Sequence, residues 1–98
     1  MLHIINKSPM DRPSLDSVLR MAGRGAVLLI EDGVYAATRG SAAEAKLREL
    51  MVRMPVHVLT PDLEARGLAD RVIDGVTGVD YGGFVDLVAE HTNCQSWL

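Results

Sequence analysis

AVLLIEDGVYAA, residues 26–37, is the stretch on which the fold turns. Its first five residues, Ala26 to Ile30, are all apolar and lack the in/out alternation of a half-exposed strand, so both faces of that strand are expected to be covered. A strand of this kind belongs in the middle of a layered α/β sheet. The run stops at Glu31, Asp32 and Gly33, which places them at the carboxyl edge, where open α/β sheets hold their ligands. Asp32 and Gly33 are therefore candidates for a cleft or an interface. Glu31 and Asp32 are consecutive and point in different directions, so they are not a ready-made general acid and base. Asp32 reads first as the cap of a short helical turn over Val34–Thr38, and second as a polar group in a cleft or interface; Tyr35, on that turn, lies close to the same edge, with packing as its first role.

Working outward, Leu2 to Asn6 reads as a first strand, closed by Ser8 and Pro9. Ser14 caps a helix whose apolar positions Leu15, Val18, Leu19 and Ala22 follow the helical spacing, and Gly23 stops it. Downstream, Ser41 and Glu44 have the spacing of a capping box, with Ala43, Leu47, Leu50, Met51 and Met54 on one helical face ended by Pro55. Val56–Leu59 reads as a strand. Thr60, Pro61 and Asp62 form a helix start with a cap, an N1 proline and a first-turn acid, and Gly67 closes the helix. Val76–Val79 is preferred over Arg71–Ile73 as the fourth strand. Asp80 caps a last helix in which Phe84, Leu87, Val88 and His91 share a face, and the tail 93–98 is suited to an edge strand. Strands alternating with helices across short loops predict right-handed βαβ units. The expected architecture is a flavodoxin-like three-layer α/β sandwich with a mostly parallel sheet of four or five strands.

With 98 residues, 48% hydrophobic and 23% charged, the chain is expected to be one domain over residues 1–98, with part of its apolar surface covered by another chain. The net charge of −3, the scattered Lys and Arg and the few aromatics argue against direct nucleic-acid binding. One cysteine excludes an internal disulfide and a cysteine-based metal cluster and fits a reducing, cytoplasmic setting. The apolar segment Leu2–Ile5 is too short for a signal peptide or a membrane span. No cofactor is expected, because Gly23-Arg24-Gly25 precedes a strand instead of opening a helix, which is the wrong side for a pyrophosphate. His3 and His57 would need neighbouring strands and a third ligand to hold a metal, and the spacing supplies none.

Cys94 is the one candidate nucleophile. It follows the carboxyl end of the last helix, where the dipole disfavours a thiolate, although a protonated His91 would partly offset this. Trp97 and Leu98 read either as a tail tucked onto the domain or as an interface anchor.

The blocks HIINKSP (residues 3–9), LLIEDGVYAA (28–37), LTPDLEARGL (59–68), VDYGGFVDL (79–87) and QSWL (95–98) together resemble the TusB/DsrH family of bacterial sulfur-relay subunits, in unbroken order along the chain. The resemblance implies a DsrE-like α/β fold and a heterohexamer with homologous small subunits of TusC/DsrF and TusD/DsrE type. It implies that the persulfide-carrying cysteine belongs to the TusD/DsrE-type partner, and that sulfur passes to an acceptor protein of TusE/DsrC type. The end point is 2-thiolation of a tRNA wobble uridine in the Tus branch, or oxidation of stored sulfur in the Dsr branch. Some DsrH proteins carry a cysteine in the first helix, whereas Ser14–Leu19 here contains no thiol, which favours the tRNA branch. No catalytic residue is transferred. The alternatives are a DsrH-type subunit of oxidative sulfur metabolism, or a persulfide carrier through Cys94 itself.

Overall fold

A computed structural model describes residues 1–21 and 23–97, so Ala22 and Leu98 lie outside the described residues. The chain runs β1 (Leu2–Ile5), α1 (Ser14–Met21), β2 (Ala26–Leu29), a 3₁₀ segment (Glu31–Ala37), α2 (Glu44–Arg53), β3 (Val56–Leu59), α3 (Thr60–Ala65), β4 (Thr77–Val79), α4 (Tyr81–Glu90) and β5 (Cys94–Trp97). All five strands pair in parallel in the order β4-β3-β2-β1-β5. The expected α/β sandwich is present, and β2 is its central strand with all four residues buried.

This order fixes the layers. The first three crossovers step the same way across the sheet, from β1 to β4, while the fourth returns to the far side of β1. Because parallel crossovers share one hand, reversing the direction of travel moves the connecting helix to the other face. The side-chain clusters agree. Ile5, Val27, Leu29, Val56 and Val58 pack with Leu15, Val18, Val34, Leu47, Leu50 and Leu63 from the first three connections. The alternate residues Leu2, Ala26 and Leu28 pack with Leu87 of α4, with Ile4, Ile30, Val79 and Phe84 at the margins. Among the described residues, one sheet face is thus covered by several helices and the other by α4 alone.

Several local expectations shift by a few atoms. Asp80 does cap α4, its Oδ1 accepting from the Gly83 amide at 2.8 Å. Asp32 does not cap the turn that follows it: the turn is a 3₁₀ segment beginning at Glu31, its N-cap is Ile30, and Asp32 lies inside it. The Ser41/Glu44 pair does not close a regular capping box. Glu44 reaches back to the Gly40 amide at 2.7 Å, and the Ser41 hydroxyl accepts from Ala43 at 3.3 Å. The bond from the Gly40 amide, followed by the Arg48 contact, lowers the Glu44 pKa below its usual value. Thr60 is the first residue of α3, not its cap, which is Leu59. Val72, from the fourth-strand alternative, forms an isolated antiparallel bridge with Thr38 instead. No helix among the described residues is long and apolar enough to cross a membrane.

Candidate functional site

The carboxyl edge of β1 and β2 is built by close backbone approach. The first turn of the 3₁₀ segment lies directly on the end of β1: a Cβ at Gly33 would sit 2.2 Å from the Ile5 carbonyl oxygen, so only glycine fits. Just before it, Glu31 has φ 51°, a left-handed conformation that a residue with a Cβ adopts at a cost. That turn is held from α3. The Asp62 carboxylate accepts from the Glu31 amide at 2.6 Å, and the Arg66 guanidinium places Nε at 3.0 Å and Nη2 at 2.9 Å from Asp32 Oδ1. Hydrogen bonding to Asp32 is the main cause of a raised Arg66 pKa. Asp32 is therefore a tie between the 3₁₀ segment and α3.

On the other side of the 3₁₀ segment lies a cavity of about 340 Å³. Its walls are the loop 8–13 after β1, Leu15 and Asp16 of α1, Tyr35 and Thr38, and the start of α2 from Ser41 to Lys46. The lining is mainly apolar, through Pro9, Met10, Pro13, Leu15, Ala42 and Ala43. Its one carboxylate, Asp16, pairs with Lys46 at 2.8 Å, and Arg12 is the remaining charge. The shape and lining suit an apolar side chain or short peptide segment with an anionic group near the rim. Nothing in the lining is a nucleophile adjacent to a base.

The three edge candidates thus separate. Tyr35 lines the cavity and is 39% exposed, Asp32 faces α3, and Gly33 is pressed against β1. Arg66 and Asp62 were not singled out by sequence for this edge. Asp62 was legible only as a first-turn acid, because its partner is 31 residues away.

Cys94 lies at the opposite end of the sheet. It is exposed and pairs with Leu2, the first residue of β1, so it sits on the amino edge, one strand length from the cavity. His91, the proposed helper, is hydrogen-bonded through Nδ1 to the Leu87 carbonyl at 2.7 Å. Trp97 is tucked in cis: it packs on the core beside Ile5 and donates its indole N–H to His3 Nδ1 at 3.3 Å. The anchor suggested for Leu98 falls outside the described residues. His3 and His57 are separated by β2 and, by strand alternation, point to opposite faces, so they cannot share a metal.

The comparisons with known proteins agree with this architecture. The model of a family described as DsrH like protein matches residues 7–94. A Pectobacterium parmentieri protein named Protein TusB is 38% identical over 99% of this chain and 100% of its own length. Protein TusB of Escherichia coli O81 is 35% identical over the same shares. Among solved structures, the ychN protein from E. coli superposes with a TM-score of 0.80 at 21% identity, covering 97% of both chains. MTH1491 of Methanobacterium thermoautotrophicum, a protein of unknown function, gives 0.79 at 20% identity, covering 97% of this chain and 96% of its own. These two structures establish the likeness of fold.

Proposed function

The chain belongs to the DsrH family, and from that premise we propose that it is a non-catalytic subunit of a sulfur-relay complex, assembled with homologous small subunits of TusC/DsrF and TusD/DsrE type. The observation that carries this reading is the placement of Cys94. A relay cysteine must react as a thiolate, from an accessible site that stabilises the negative charge. Here the only thiol in the sequence is on the amino edge, behind the carboxyl end of a helix, while the shaped cavity is at the carboxyl edge. The chain's role is then to complete and position the assembly, while a partner carries the persulfide. The end product is the 2-thiouridine of tRNA wobble positions, reached in the cytoplasm through a TusE/DsrC-type acceptor; the helix-1 stretch Ser14–Leu19, which lacks a thiol, supports this branch over sulfur oxidation.

Affinity recovery of the chain from its native cell, with the intact complex weighed by native mass spectrometry, tests the reading. Two other small subunits in equal number are expected. Loss of wobble 2-thiouridine on deleting the chain, with recovery by the Cys94→Ser form, is the expected branch result. Recovery of the chain alone or as a homo-oligomer overturns the assignment. Gain of one sulfur atom by the isolated chain from a persulfide donor would make Cys94 the carrier instead.

A further inference from the structure

The sheet face that α4 alone covers among the described residues is only partly closed, and the outer side of α4 is itself an apolar surface. Tyr81, Val85 and Val88 follow the i, i+4, i+7 spacing, and they are 63%, 66% and 39% exposed. Gly82 and Ala89, also exposed, lie beside them, so the solvent side of the helix carries no charge along that stripe. The inner side is apolar as well, through Phe84 and Leu87. Apolar residues thus occupy more of the helix surface than the one stripe that packs on the sheet. Around it, Ile4, Ile30 and Val79 on the same sheet face are only partly buried, which extends the apolar surface beyond the helix.

The charges say what kind of partner fits. Within α4 they are Asp86 and Glu90 alone, both acidic and four residues apart on one flank of the stripe. In a twofold, antiparallel pairing of two copies the same flanks meet, which would set these acids against their own duplicates. Like charges face to face at an interface are costly. The chain's net charge of −3 adds to that repulsion.

We infer that the outer side of α4 is a docking surface for a non-identical subunit of the same fold, which presents an apolar ridge flanked by Lys or Arg. This rests on the proposed role as a complex subunit and assigns the surface through which that role is exercised.

The test is co-expression of the full chain with the TusC- and TusD-type subunits of the same organism, with incorporation read by native mass spectrometry. Val85→Glu is expected to reduce incorporation at least tenfold. Its urea midpoint should stay unchanged, because the side chain is exposed in the free subunit. Tyr81→Ser, a milder change, is expected to give a smaller loss in the same direction, and it decides the matter if Val85→Glu fails to fold. The double variant Asp86→Lys, Glu90→Lys is expected to weaken incorporation severalfold and to flatten its dependence on salt. Folded Val85→Glu or Tyr81→Ser protein that enters the complex like the wild type overturns this inference and leaves the proposed function standing. A wild-type chain that never enters the complex overturns the proposed function and the inference with it. A wild-type homodimer abolished by Val85→Glu overturns the choice of a non-identical partner.

Discussion

Trp97 donates its indole N–H to Nδ1 of His3 across 3.3 Å, joining the last strand to the first. The other His3 nitrogen, Nε2, lies 3.3 Å from the Arg24 carbonyl, so the ring bridges the indole of β5 and the backbone just before β2. His3 is 4% exposed, and the tail strand β5 is secured through it. Trp97→Phe keeps most of the ring but removes the donor, and is expected to cost about 0.5–1.5 kcal/mol. Trp97→Ala, which also removes packing against the core, is expected to cost about 2 kcal/mol, less than for a fully buried Trp. Urea unfolding of the two variants checks this ranking, and an unchanged midpoint in both would show that the tail is held by its backbone alone.

Gly33→Ala is expected to destabilise by about 1–3 kcal/mol, because the new methyl must displace either the 3₁₀ segment or the end of β1. The Ile5 carbonyl it would meet is 2.2 Å away. Gly23→Ala is the matched control. Nothing lies within 4 Å of a Cβ there, so that change is expected to be neutral or slightly stabilising. Thermal melts of the pair decide it, and equal melting temperatures would refute the close-packing account.

Local signals were the ones legible in the sequence. The unbroken apolar run gave β2, proline ended α2, and Asp80 capped α4, because each depends on residues within a few positions. Where the outcome depends on a partner far along the chain, it was hidden. Asp32 resembles a cap until Arg66 arrives from 34 residues away to claim its carboxylate. Glu44 had a choice of two nearby amides, and the fold selected Gly40 over Ser41. The sparse face of the sheet was also illegible, since it follows from the direction of the last crossover, which local periodicity does not encode. The edge candidates were correctly placed at the carboxyl end of β2, but which way each side chain turns was a tertiary matter.

Asp62 and Asp32 both tie α3 to the 3₁₀ segment, and they are expected to differ in weight. Asp62 holds the amide of a left-handed residue with a charge-assisted bond of 2.6 Å, and Asp62→Ala is expected to cost about 1.5 kcal/mol or more. The Arg66–Asp32 pair is 23% and 56% exposed at its two side chains, so Asp32→Ala is expected to cost about 0.2–1 kcal/mol and to lose that effect in high salt. Urea midpoints at low and high ionic strength separate the two, and a larger loss for Asp32→Ala would reverse the assignment.

His57 gives the fold a pH dependence of definite sign. Burial lowers its pKa below the ordinary 6.5, with Glu90 partly opposing and His91 reinforcing the shift. The unfolded chain therefore binds a proton more readily than the native one, and stability falls as pH drops below about 6.5 towards the depressed value. His57 Nδ1 is buried without a partner, so protonation there gains no new bond in the native state. The His57→Gln variant is expected to lose stability less steeply over that window. Glu44, whose pKa is lowered from 4.5, adds stability that is lost only at more acid pH, which keeps the two effects apart. Unfolding free energies at pH 7.5, 6.5 and 5.5 check the sign, and parallel curves for the variant and the wild type would rule out His57 as the source.

Cys94→Ser is expected to change neither the fold nor sulfur transfer by the intact complex. The thiol is exposed on an edge strand, so replacing it removes no core packing, and surface substitutions of this kind stay within about 0.5 kcal/mol. It lies on the amino edge of the sheet, away from the carboxyl-edge cavity. The check is the rate at which labelled sulfur reaches the acceptor protein from complexes carrying either form of the chain. Equal rates place the transferring cysteine on a partner subunit. A loss of tenfold or more, with the complex still assembled, would put Cys94 on the sulfur path and require the amino edge to be the site of exchange.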